Sequence, residues 1–83
     1  MRLIQDTLTA EAKSAPRLLI TGRNEVLLER HAGLFSYETK CIRARTREGV
    51  VTVTGENLTI AFFGAQDMLI QGRIAGVQWE NTL

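Results

Sequence analysis

The sequence predicts an all-β fold, an antiparallel meander of about eight short strands arranged as a sandwich or small barrel. A short phrase recurs along the chain. Ile20-Thr21-Gly22-Arg23, Val53-Thr54-Gly55-Glu56 and Ile70-Gln71-Gly72-Arg73 each set an apolar residue, a polar residue, Gly and a charged residue in that order. From Arg17 onward apolar positions recur at period two, the spacing that fills one face of a strand. Turn-forming residues separate these runs, and the single proline, Pro16, lies ahead of all of them. Gly followed by a polar residue suits the centre of a type II′ hairpin, whose first position needs φ > 0. Gly22, Gly55 and Gly72 are therefore read as hairpin turns, and Gly33 and Gly49 as members of two further turns.

In chain order, residues 1–15 stand apart. Ile4, Leu8, Ala12 and Ala15 recur at helical spacing, Glu11, Ala12 and Lys13 favour a helix, and Pro16 stops it. So short a helix is marginal alone, and the segment either docks on the sheet or frays. Residues 16–83 form the all-β domain. Strands are expected near 17–21, 24–31, 34–38, 40–47, 50–54, 57–63, 68–71 and 74–79, with 34–47 alternatively one bent strand. Leu18, Ile20, Val26, Leu28, Ile42, Val51, Val53, Leu58, Ile60, Phe62, Met68, Ile70 and Ile74 share one face and are expected to form the core. Val77 and Trp79 fall out of phase with Ile74, and a β-bulge at Ala75-Gly76 would return them to that face. Units of about 17 residues also allow a β-solenoid, but Gly-led two-residue turns favour hairpins. The strand after Pro16 and the one carrying Trp79 are expected at the sheet edges, where pairing with another chain is easiest.

The opposite face is less polar than a one-sided sheet allows. It carries Leu19, Leu27, Phe63 and Leu69, expected either as incidental exposure or as an interface with the N-terminal segment, another subunit or a partner. A second feature is Arg43, Arg45 and Arg47, alternate strand residues about 6.7 Å apart that point to one face. Three guanidinium groups in a row can track phosphates or anionic headgroups. The plainer reading pairs them across strands with Glu25, Glu29, Glu38 or Glu48.

Composition narrows the function. At 83 residues with one cysteine, Cys41, the domain has a small core and no disulfide, which favours oligomerisation or docking. The net charge of +1 points to no particular partner, and 45% hydrophobic content excludes disorder. No apolar run approaches the ~20 residues of a membrane helix, and no signal peptide is evident at the start. His31 is the only histidine, so a zinc ligand set is missing, and a Cys41–His31 dyad is less favoured than a packed cysteine. No nucleophile elbow, phosphate loop or dinucleotide fingerprint is present. Neither an enzyme nor a cofactor is expected.

The run from Pro16 to Gly22, then Val26-Leu27-Leu28-Glu29-Arg30-His31-Ala32-Gly33-Leu34, resembles the start of the YabP/YqfC family of sporulation proteins. Residues 49–60 (GVVTVTGENLTI), then Met68 to Ile74 and Val77-Gln78-Trp79, resemble how those proteins end. The likeness spans residues 16–79 and is nearer the YqfC branch. It implies a non-catalytic protein of endospore formation that assembles with itself, with a sporulation membrane protein, or both. It further implies a cytoplasmic place in the mother cell, peripheral to the membrane around the forespore. The alternative is a small β-barrel that binds nucleic acid through Arg43, Arg45 and Arg47. A helix before a strongly bent sheet resembles the Sm-like barrel, and Ile70-Gln71-Gly72 loosely fits its second signature. The Asp-x-apolar-x-Asn element of such barrels is missing, and the balanced charge disfavours this alternative.

Overall fold

A computed structural model describes residues 14–81. Its strands are β1 (Arg17–Thr21), β2 (Glu25–Glu29), β3 (Leu34–Glu38), β4 (Cys41–Thr46), β5 (Gly49–Phe63) and β6 (Asp67–Glu80). The helix expected from Ile4, Leu8 and Ala12 falls outside the described residues.

The strands form one antiparallel sheet in the order β1-β2-β6-β5-β4-β3. Antiparallel pairing throughout rules out a solenoid, whose coils would stack in parallel. β3 to β6 run as a meander. The β1–β2 hairpin instead lies beside β6, so residues 30–33 cross from β2 to the opposite side of the sheet. That link is held by backbone bonds from His31 N–H to Gln66, from Ala32 N–H to Arg45, and from Arg45 N–H to Gly33.

Six strands replace the expected eight because four expected pieces fuse into two long strands. Residues 50–54 and 57–63 are continuous in β5, and 68–71 and 74–79 are continuous in β6. Gly55 and Gly72 are therefore not hairpin turns. Gly55 has no positive φ and lies opposite Ile74 within the β5–β6 ladder. Gly72 has φ +141° inside β6, where a Cβ would stand 2.7 Å from the Asn57 carbonyl oxygen. The β5–β6 register slips at Thr54/Gly55 and again between Glu56 and Thr59, and Asn57 itself takes φ +53°. Glycine here permits two backbones to close on one another where both strands bend. The first copy of the phrase behaves as the sequence predicts. Gly22 has φ +55° in the β1–β2 turn, closed by Asn24 N–H donating to the Thr21 carbonyl. Gly33 lies in the β2–β3 link, and Gly49 opens β5 just after the Arg47-Glu48 turn.

The bends fold the sheet on itself. One half comprises β1, β2, the first part of β6 and the last part of β5. The other comprises β3, β4, the first part of β5 and the last part of β6. Val26, Leu28, Leu58, Met68 and Ile70 from the first half meet Ile42, Ala44, Val51 and Val53 from the second in one buried cluster, with Ile74 at the bend. Truncating a fully buried member such as Leu58 to Ala is expected to cost about 2–5 kcal/mol. The bulge at Ala75 is present. Thr54 pairs with Gly76 and Gly55 with Ile74, which sets Val77 opposite Val53 and Trp79 opposite Val51.

Two residues assigned to the core are instead exposed. Ile20 is 55% accessible because β1 is a terminal strand with no neighbour over its outer edge. Phe62 is 54% accessible because a register shift between Ile60 and Phe62 turns it to the outer face.

Candidate interaction surfaces

Three parts of the surface carry the residues singled out by the sequence. The first is the outer face of the β1–β2–β6–β5 half. Residue parity sets Leu19, Leu27 and Leu69 opposite to the core side chains Val26, Leu28, Met68 and Ile70. The register then aligns them: Leu19 pairs with Leu27, Leu27 with Leu69, and Leu69 with Phe62. Four large apolar side chains thus form a row across four strands. Leu27 and Leu69 are half-buried, and Leu19 and Phe62 are exposed. Phe63, expected on this face, pairs with Met68 and stacks on His31 instead, and Phe62 takes its place. In the run Ile60-Ala61-Phe62-Phe63 period two cannot say which Phe faces out; only the bulge decides it.

The second is the arginine series. Arg43 and Arg45 are alternate residues of β4, as expected, whereas Arg47 falls in the β4–β5 turn and donates to Ser14 Oγ at 2.7 Å. A bulge between Leu34 and Ser36 frees Phe35 from the β3–β4 pairing. Its ring lies under both guanidiniums, at 4.8 Å from Arg43 and 4.5 Å from Arg45. Nothing in the sequence marks Phe35 for this role, because only the bulge brings it there. Arg43 also donates to Glu80 Oε1 at 2.6 Å, reaching across β5. That guanidinium holds the Glu80 carboxyl below its ordinary value of 4.5, chiefly through the hydrogen bond. Thr52 Oγ1 lies near enough to help hold the carboxylate ionised, yet no hydrogen bond of good geometry ends on it. Cross-strand pairing is thus realised at Arg43, with a partner other than the four glutamates considered. Of those, Glu29 pairs with Arg17 at 3.5 Å and Glu25 accepts from Gln71 Nε2 at 2.9 Å.

The third is His31. Gly33 N–H donates to its Nδ1 at 3.0 Å, so Nδ1 carries no proton and Nε2–H donates to the Gly64 carbonyl at 2.9 Å. Both ring nitrogens are occupied by backbone, which leaves neither to activate Cys41. Among the described residues no group of three or more His, Cys, Asp or Glu could hold a metal. An open cleft of about 520 Å³ lies between β1 and β6, lined by Ile20, Gly22, Arg23 and residues 74–77. No helix among the described residues is long and apolar enough to cross a membrane.

These features define a small folded-over antiparallel sheet whose distinctive chemistry lies on its outer faces. The chain matches the YabP family model over residues 12–82 and belongs to that family. It is also similar to the uncharacterized protein YqfC of Bacillus subtilis (strain 168), with 27% identity over 67 residues that cover 81% of this chain and 72% of that protein.

Proposed function

We propose that this chain is a non-catalytic interaction module of endospore formation. It works at the cytoplasmic side of the membrane around the forespore, in assembly with itself or with a sporulation membrane protein. The observation that carries this reading is the outward row Leu19–Leu27–Leu69–Phe62, apolar surface that a self-sufficient sheet would not present. Membership of the YabP family supports the process, and the commitment of both His31 nitrogens to backbone supports the non-catalytic role.

The test is a tagged chain cross-linked in sporulating cells, compared with a Leu27→Ser/Leu69→Ser variant. Wild type is expected in a complex of defined mass, and the folded variant at its own mass. Wild type recovered free at every stage of sporulation counts against the proposal.

A second reading keeps one observation. Phe35 under Arg43 and Arg45 supplies the aromatic that single-strand binding uses. Arg43 is already neutralised by Glu80, which weakens it. No binding of short RNA or single-stranded DNA at low salt would end it.

A further inference from the structure

The apolar row has charged borders, and the register fixes both of them. On one side Arg17 pairs with Glu29 and Glu29 with Asp67. On the other, Thr21 pairs with Glu25, Glu25 with Gln71, and Gln71 with Thr59. All share the outward parity of the row. Three carboxylates and one guanidinium therefore border four apolar side chains, and the guanidinium is tied to Glu29 at the β1 end. Arg73 lies one step further out on the Glu25 side, opposite Glu56, with Arg23 in the nearby turn.

These borders select the occupant. Two copies packed face to face about a twofold axis would set one inner border against the other or against itself. Each inner border carries a net negative charge, through Asp67 and Glu29 beside Arg17 on one side and Glu25 on the other. An anionic lipid surface meets the same repulsion. The complementary object is an apolar ridge with cations along both sides. Four strands at ~4.8 Å spacing put about 14 Å between the ends of the row. A helix advances ~5.4 Å per turn, so three turns lay one apolar side chain on each strand. The carboxylates stand about 6.7 Å to either side along the strands, where residues flanking a helix's apolar stripe project.

We propose that this face docks a basic amphipathic helix of a partner protein. Its apolar stripe seats on Leu19, Leu27, Leu69 and Phe62, and its Lys or Arg side chains lie over Glu25, Glu29 and Asp67. This rests on the row being the working surface and adds the chemistry of what covers it.

The test uses the full chain and two synthetic helical peptides of about 18 residues, five turns each. One has a leucine stripe flanked by lysines, the other the same stripe flanked by glutamates. The Leu/Lys peptide is expected to bind one-to-one and to weaken as salt rises. Its affinity should fall at least about tenfold in Leu69→Ser and in Glu29→Lys/Asp67→Lys, while the charge-reversed variant gains the Leu/Glu peptide. The charge variants alter surface side chains, so they stay informative if Leu69→Ser unfolds. Equal binding of both peptides, binding of neither, or indifference to charge reversal overturns the partner chemistry; the row survives as a contact if Leu69→Ser still loses binding. A dimer seen by light scattering that dissociates in Leu69→Ser makes a second copy the occupant. Cosedimentation with phosphatidylglycerol vesicles that the same change abolishes makes it lipid. Loss of the Leu/Lys peptide on charge reversal but not in folded Leu69→Ser or Phe62→Ser removes the row itself.

Discussion

Gly55, paired with Ile74, lies hard against the Arg73 backbone across β5 and β6: a Cβ on Gly55 would overlap the Arg73 carbonyl oxygen. The contact sits where both long strands bend and where their register slips by a residue. Gly72 and Asn57 make the companion contact on the other side of the slip. The fold-over that creates a two-sided core thus depends on two glycines set in facing strands, one with ordinary φ and one without.

Gly55→Ala is therefore expected to destabilise the domain by about 3 kcal/mol, the upper end for forcing a methyl group into a packed site. The obstacle is backbone, which cannot swing aside as a flexible side chain can. Gly72→Ala should cost a similar amount, adding a disfavoured φ to a close contact. Denaturant midpoints measure both, and a wild-type midpoint for Gly55→Ala would refute the close crossing.

Gly22 provides the contrast. It has φ +55° but nothing within 4 Å of where a Cβ would stand. Gly22→Ala should cost only about 1–2 kcal/mol, the price of left-handed backbone for a residue with a Cβ. Gly22→Asn should cost less than Gly22→Ala, because Asn visits that region more readily. If Gly22→Ala proves as damaging as Gly55→Ala, space and not conformation limits the turn.

That difference shows what one sequence could reveal. The three repeated phrases look alike, yet only Gly22 ends a hairpin. Nothing local distinguishes a glycine needed for φ from one needed for close approach, since both roles exclude a side chain. Period two located Val51, Val53, Leu58, Met68, Ile70 and Ile74 on the long strands but missed buried Val50 and misplaced Phe62, and the phase break between Ile74 and Val77 betrayed the bulge at Ala75. The bulges at Phe35 and Ala61 left no such mark, because the apolar residues beside them, Leu34 at the first and Phe62 and Phe63 at the second, fit either phase. Leu19, Leu27 and Leu69 were legible as a second apolar face. Their alignment into a row between acidic borders was not, because it follows from β2 pairing with β6, a long-range choice.

The Arg43–Glu80 pair makes a prediction about acid. Glu80 is held below its ordinary value of 4.5 in the folded chain, so its ionised form favours the fold. The contribution is fully present at neutral pH, above the unfolded value, and is lost as pH falls through the lowered folded value. Wild type should melt above Glu80→Gln at pH 7, and the gap should close in strong acid. High salt should narrow it, because both side chains are partly exposed. An equal gap at pH 7 and in strong acid would mean that Glu80 acts through packing and not charge.

His31 ties the β2–β3 link to the β5–β6 turn through one ring, accepting from Gly33 and donating to Gly64 while Phe63 stacks at 5.0 Å. His31→Phe keeps an aromatic ring for the stack and removes both hydrogen bonds, so it should cost about 2 kcal/mol at roughly 1 kcal/mol per bond. Phe63→Leu keeps both bonds and removes the stack, and about 0.5–1.5 kcal/mol is expected there. The two changes share one ring, so their effects should not add, and a double-mutant cycle measures the coupling. Native-state hydrogen exchange gives the local readout. The Gly33 amide should lose protection in His31→Phe beyond the global loss of stability, while amides in the centre of β5 follow the global change alone. Unchanged Gly33 protection in His31→Phe would mean that the imidazole merely fills space, with the link secured by Ala32 and Arg45.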